Sequence, residues 1–272
     1  MRLTSIHTYP VKGCHRLDHD GAFVQPWGLA GDRRWMVVDA GGVGVTQRDT
    51  TRLVDLRATA RPGGLTLRAA GQPDLDVPEP TAGEPVPVRT FRSRTFPVPA
   101  LPAGRAADDW LGALLGRPVR LVWLARPTRH LAAGSREHDT GDQVNFADAY
   151  PLLLANTASL DALNDWLAEA AEEPVPMARF RPNLVVDGAS AWAEDDWVGR
   201  PLRIGDLRFR AAGPCDRCVV TTTDQETGVR TKEPLRTLGR HRNVKQKLLF
   251  GLHLIPIDSG QLKLGDPIVI TP

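Results

Sequence analysis

Glycine and proline punctuate this chain from end to end, and that spacing limits what it can fold into. With 25 Gly and 23 Pro spread over 272 residues, few stretches continue long before a turn-former interrupts them. Short strands joined by turns are the expected outcome. Runs of β-branched and aliphatic residues do recur at 3–9, 35–39, 53–59, 65–69, 88–91 and 119–124. They return at 183–187, 202–204, 207–211, 218–223, 252–257 and 268–271. Gly41-Gly42 follows one run and Gly205-Asp206 separates two others, so both sites read as hairpins.

Two helices stand out from this background. Residues 106–115 place Trp110, Leu111, Leu114 and Leu115 at helical spacing. A second helix opens at Asn156 or Thr157 and gathers Leu160, Leu163, Trp166 and Leu167 on one face. Glu233-Pro234-Leu235 opens a third, short one, with proline in its first turn. Residues 126–146 lose all periodicity and are largely polar, as a linker or functional loop would be. The expected organisation is therefore two units, 1–125 and 126–272, with that loop bordering a pocket. The fold class is mainly β with some α (α+β), built as two β-barrel-like units.

Charge narrows the function. The chain carries 34 basic and 32 acidic residues, net +2, which argues against nucleic acid or an acidic membrane as a bulk electrostatic partner. No apolar run is long enough to span a bilayer, and the N-terminus enters a strand pattern without an apolar leader. Three cysteines, one remote from the others, make no disulfide framework. A soluble, cytoplasmic protein is expected.

The segment with most chemical content is Gly213-Pro214-Cys215-Asp216-Arg217-Cys218. Glycine and proline predict a turn that presents Cys215 on a loop, with Cys218 beginning the next strand. Arg217 and Arg210 are placed to favour a thiolate. Four readings compete. A thioredoxin-like pair wants its first cysteine at a helix N-terminus. A structural zinc site needs four ligands, and only His241 and His253 could complete it. Two buried small hydrophobes would need no role at all. The fourth is a single soft thiolate ligating a redox-active metal that an organic cofactor holds by other atoms. An anionic cofactor would need cationic anchors and backbone donors. Lys12-Gly13, Arg33-Arg34 and Arg179-Phe180-Arg181 offer them at strand ends, although each arginine taken alone reads as a solvated charge.

Taken in order along the chain, these segments resemble a known family. Residues 213–228, from Gly213-Pro-Cys-Asp-Arg-Cys to Glu226-Thr-Gly228, are similar to the signature of the MOSC domain. Phe180-Arg-Pro-Asn183, Arg230-Thr-Lys-Glu-Pro-Leu235 and Gly265-Asp-Pro-Ile268 are similar to it as well. Tyr9-Pro-Val-Lys12, Gly31-Asp-Arg33 and Val45-Thr-Gln-Arg48 resemble the β-barrel domain that often precedes it. The nearest pattern is that of the mitochondrial amidoxime-reducing components and their bacterial counterparts.

The resemblance implies a molybdenum-molybdopterin (Mo) cofactor with Cys215 as metal ligand and catalytic residue. Lys12, Gly13, Arg33, Asp148, Arg181 and Asn183 would be cofactor-binding. It implies an oxidoreductase that reduces small N-hydroxylated substrates, such as amidoximes and N-hydroxylated bases, by oxygen abstraction at molybdenum. Electrons would come from a separate flavoprotein, ferredoxin or haem protein. A cofactor or sulfur carrier without turnover is the alternative. Two departures stand out: relatives carry Lys-Ser where this chain has Lys12-Gly13, and Asp-Thr-Ser where it has Asp148-Ala149-Tyr150.

Overall fold

A computed structural model describes residues 1–90, 97–127, 129–131 and 141–271. Strands dominate it, with three α-helices: α1 (Arg105–Leu115), α2 (Thr157–Glu169) and α3 (Leu235–His241). The α+β class expected from the sequence is the one observed. None of its helices is long and apolar enough to cross a membrane.

The largest sheet has nine strands, five of which frame the site. They are β1 (Arg2–Thr8), β2 (Leu152–Asn156), β3 (Leu184–Asp187), β4 (Leu207–Asp216) and β5 (Lys247–Pro256). Across the sheet they run β1-β3-β2-β5-β4. β2 and β3 are parallel, with Leu154 beside Leu184, and α2 lies between them in the chain as their crossover. The side chain of Asn156 caps that helix by accepting from the Ala158 amide at 3.2 Å. Leu163 and Leu167, four apart, are both buried.

Two cores result. One lies against the large sheet and contains Leu3, Ile6, Leu154, Leu184, Phe209 and Leu252. The other gathers Trp35, Val37, Leu53, Leu65, Leu111 and Leu121 from the first half of the chain. The N-terminal residues join the two halves. β1 pairs with β3, and Gly21–Gln25 pairs with Gly260–Lys263.

Two local expectations are corrected. Residues 53–59 do not form one strand: Thr51–Asp55 is a 3-10 helix, capped by the Thr50 hydroxyl accepting from the Arg52 amide, and the strand is Arg57–Arg61. Nor do residues 218–223 form a strand. Val219–Thr222 curls into a 3-10 helix with Cys218 at its N-cap. The Thr221 and Thr222 hydroxyls donate to the Cys218 and Val219 carbonyls at 2.9 and 2.8 Å. Those local bonds give the backbone an alternative to a ladder, against the strand preference of the β-branched run. Residue 91, the end of another expected strand, lies outside the described residues, as does part of 126–146; Val86–Val88 is the strand observed there.

Close packing of β5 against β2 requires one glycine. Gly251 sits at φ +81°, and a Cβ there would lie 2.8 Å from the Leu154 carbonyl oxygen. Gly251→Ala is expected to lower stability by about 2–3 kcal/mol in urea unfolding, since left-handed strain and the contact add.

Candidate functional site

The pairing of β4 with β5 is irregular where the cysteine stands. Register shifts occur between Ala211 and Gly213 and again between Pro214 and Asp216. Pro214 still faces Leu252, whereas Asp216 already faces Leu249. Cys215 is therefore the residue inside the second irregularity. The expectation that it lies on a loop is corrected: Gly213 and Pro214 make no turn but pair with His253 and Leu252 between the two register shifts, as β5 continues alongside. A break in the register re-aims the side chains beside it.

Cys215 lines a cavity of about 370 Å³, within the range of small-molecule sites. Lys12, Gly13, Arg33, Asp148, Arg181 and Asn183 line the same cavity. The fold thus brings together every residue that the family resemblance singled out, from both ends of the chain. Arg48, Arg217, Tyr150 and His253 line it too. The sequence sets Arg217 beside the cysteine as a thiolate-favouring cation and offers His253 only as a zinc ligand; Arg48 and Tyr150 have no role there, although Arg48 closes a motif.

The hydrogen bonds show how these groups are held. Lys12, 5% exposed, donates to the Phe146 carbonyl at 2.7 Å and pairs with Asp148. Arg48 holds the other Asp148 oxygen at 3.0 Å and also reaches the Cys218 sulfur at 3.1 Å. Arg217 donates to the Cys215 sulfur at 2.8 Å and to the Phe180 carbonyl at 2.7 Å. Arg181 donates to Gln225 Oε1 at 2.7 Å and to the Cys14 carbonyl at 2.8 Å. Its guanidinium lies 4.2 Å from the centre of the Tyr9 ring, and that of Arg33 lies 4.5 Å from it. Arg33 also pairs with Asp32 and donates to Asn183 Oδ1 at 3.2 Å. Arg33 and Arg181 have φ of 47° and 55°, a left-handed conformation that non-glycine residues adopt at a cost and that clusters at functional sites.

Five cations line the cavity, namely Lys12, Arg33, Arg48, Arg181 and Arg217, against the two carboxylates of Asp148 and Asp216. Burial drives the Lys12 ammonium down to about 8, with Asp148 opposing the fall. Burial would raise the Asp148 carboxyl, yet Lys12 and Arg48 beside it outweigh that and hold it below the usual carboxylate range. Burial pushes the Cys215 thiol up, and Arg217 works against the rise. A raised thiol inside a strand is not the thioredoxin arrangement, which lowers the thiol at a helix N-terminus. Among the described residues no three His, Cys, Asp or Glu side chains converge as metal ligands. A four-ligand zinc site is thereby excluded there: His241 stacks on Trp166 and His253 on Tyr150. Two thiols line this cavity, the buried Cys215 and the part-exposed Cys218.

A second cavity, of about 490 Å³, lies between β1 and α2 and holds no cysteine. Its basic side chains, His7 and Arg16, lie 2.7 and 2.8 Å from Asp18.

His253 allows a pH test of this description. Burial, assisted by Arg217, depresses its imidazole from 6.5 to about 3. Between those values the unfolded chain binds a proton that the folded chain does not, so stability present above pH 6.5 is lost as pH falls toward 3. One such group contributes at most about 1.4 kcal/mol per pH unit. His253→Gln is expected to flatten the acid decline by about 1 kcal/mol per unit in denaturant titrations between roughly pH 6 and 4. Parallel slopes for the two proteins would show that the imidazole is not buried neutral.

Comparison with known proteins places these features in context. A model of the MOSC domain matches residues 141–269, and one of the MOSC N-terminal beta barrel domain matches residues 1–118. The chain is 35% identical to mitochondrial amidoxime-reducing component 1 of Homo sapiens, over 96% of this chain and 80% of that protein. The Mus musculus protein of the same name is 34% identical over the same shares. Molybdenum cofactor sulfurase of Oryza sativa subsp. japonica is 32% identical across 93% of this chain, but only 32% of its own length is covered.

Proposed function

Because this chain belongs to the MOSC family, with the MOSC N-terminal domain ahead of the MOSC domain, we propose that it is a molybdenum-dependent reductase of N-hydroxylated compounds. The observation that carries this reading is one buried thiol in a cavity where five cations face two carboxylates. Such a donor set suits a metal brought by an anionic organic cofactor. The pterin supplies sulfurs and a phosphate, and the protein supplies the remaining sulfur and the positive charge. The extent of the likeness favours a reductase over a sulfurase, since the chain spans four-fifths of an amidoxime-reducing component and a third of a sulfurase.

Cys215 is the ligand in this reading. Arg217, 2.8 Å from its sulfur, stabilises the thiolate that a metal requires. Lys12, Arg33 and Arg181 bind the phosphate and pterin, while Asn183 fixes the Arg33 side chain. Gly13 holds the chain beside Lys12 at φ +81°, a left-handed conformation that favours glycine. Asp148 keeps the Lys12 ammonium charged against its burial. The molybdenum-molybdopterin cofactor, when bound, supplies a two-electron centre that accepts an oxygen atom. In the net reaction an amidoxime takes up two electrons and two protons, its N–O bond breaks, and an amidine and water leave. His253 stays unprotonated at working pH and is not the proton source. The electrons come from a separate carrier protein. The three cysteines are all free, consistent with a reducing cytoplasm.

The test is turnover of benzamidoxime to benzamidine by cofactor-loaded protein with reduced methyl viologen as donor. Sustained product formation supports the reductase. Tight cofactor binding with no product would overturn it and mark a cofactor carrier.

A further inference from the structure

Between Arg230 and Lys247 stand seven lysines and arginines and one acid, Glu233. That is a net +6 within a chain whose whole net charge is +2, so the remainder carries −4. Glu233 does not dilute this surface, being buried with its carboxylate accepting from the Thr237 amide at 3.0 Å. Arg236 pairs with Glu172 and Arg242 with Asp195. Lys232, Arg240, Lys245 and Lys247 are exposed, and no acidic side chain reaches them among the described residues.

Both ends of this segment are fastened to the cavity that holds Cys215. At its start Arg230 donates to the carbonyl of Gln47, a residue of the cavity wall. At its end the Leu248 amide donates to Asp216 Oδ1 at 3.0 Å, and the Arg217 amide donates to the Leu248 carbonyl at 2.8 Å. Between these anchors α3 leads into a hairpin in which Asn243–Val244 pairs with the start of β5. Lys245 and Gln246 at its tip have φ of 50° and 66°, the two positive values that a tight type I′ turn demands. The tip therefore presents lysines on a fixed backbone. Val229 and Val244, 59% and 50% exposed, flank the charges and offer apolar contact.

We propose that α3 and this hairpin dock the acidic face of a small electron-carrier protein and bring its redox centre to the mouth of the Cys215 cavity. The proposal rests on the reductase reading above. Complementary charge speeds encounter and fixes orientation, which suits a partner that must arrive, transfer and leave. A single-stranded nucleic acid is the poorer match. Residues 229–248 contain no Trp, Tyr or Phe on which bases could stack, and His241 is occupied by Trp166 at 4.3 Å.

The experiment compares the cofactor-loaded wild type with the triple variant Arg240→Glu, Lys245→Glu, Lys247→Glu, none of which touches the cavity. Donors are reduced methyl viologen and three acidic carriers: a [2Fe–2S] ferredoxin, a flavodoxin and a b-type cytochrome. At least one carrier is expected to drive the wild type at a rate that falls with salt. The variant is expected to lose about tenfold or more in kcat/KM with that carrier while viologen-driven turnover stays unchanged. The docking proposal is overturned if no acidic carrier works where viologen does, or if the variant keeps its carrier rate. Equal losses with viologen, or retention of the wild type on single-stranded DNA or anionic vesicles in place of the carriers, would overturn it too. Absence of viologen-driven turnover in the wild type would instead sink the reductase reading. Calorimetric titration of the carriers into wild type and variant would still read the docking surface.

Discussion

Cys215→Ala is expected to abolish turnover and to leave the fold intact. Removing even an outer partner of a metal ligand lowers affinity or activity by about 10–100-fold, so loss of the proposed sulfur ligand should cost at least about 100-fold. Bound molybdenum, measured by elemental analysis beside the wild type, is expected to fall with it. The side chain is buried but small, and its truncation should cost about 1 kcal/mol or less of stability. A protein that melts normally and neither holds the metal nor turns over would separate a ligand from a core residue. Cys218→Ala offers the contrast. That sulfur is held by Arg48 at the rim, and the variant should retain metal and activity.

The second large effect is structural and lies at Arg181. Its guanidinium is 9% exposed and ties residues remote in sequence: the Cys14 carbonyl, Gln225 and the Tyr9 ring. Arg181→Ala leaves the Cys14 carbonyl buried without its donor, empties the space over Tyr9 and removes a cation from the cavity. Loss of a buried charged partner costs about 3 kcal/mol, which lowers Tm by about 6–12 °C in a chain of this size. Cofactor retention should fall as well. Arg181→Lys keeps the charge but cannot serve both acceptors through a planar fork, so an intermediate loss is expected in both measurements. If Arg181→Ala melted like the wild type, the guanidinium would not be the tie described here.

How far the site was legible beforehand depends on what kind of signal each residue carried. Lys12, Arg33, Arg181 and Cys215 each sit in a short motif beside glycine or proline, where a chain direction changes and side chains converge. Motif order alone was enough to group them, and the cavity does so in space. Tyr150 and His253 carried no such signal. His253 occupies an ordinary position within β5, and only the pairing of β5 with β2 and β4 brings it beside Cys215 and the Tyr150 ring, 4.4 Å away. Arg48 was visible as the end of Val45-Thr-Gln-Arg48, but its link to Asp148 spans a hundred residues and is a property of the fold.

The fold shows the same division. The helix cap at Asn156 and the burial of Leu163 and Leu167 are local and were readable. The 3-10 turn at Val219–Thr222 was not, since two threonine hydroxyls decide it against the strand preference of their own side chains. Nor was the entry of β1 into the large sheet beside β3, a pairing across some 180 residues that strand propensity cannot specify.

A bond between the Cys215 sulfur and molybdenum underlies the proposed reduction. X-ray absorption at the molybdenum edge, on wild type and Cys215→Ser loaded to equal metal content, tests it directly. The variant should show one sulfur neighbour fewer, replaced by a lighter oxygen. An identical sulfur count in the two proteins would mean that this thiol never reaches the metal.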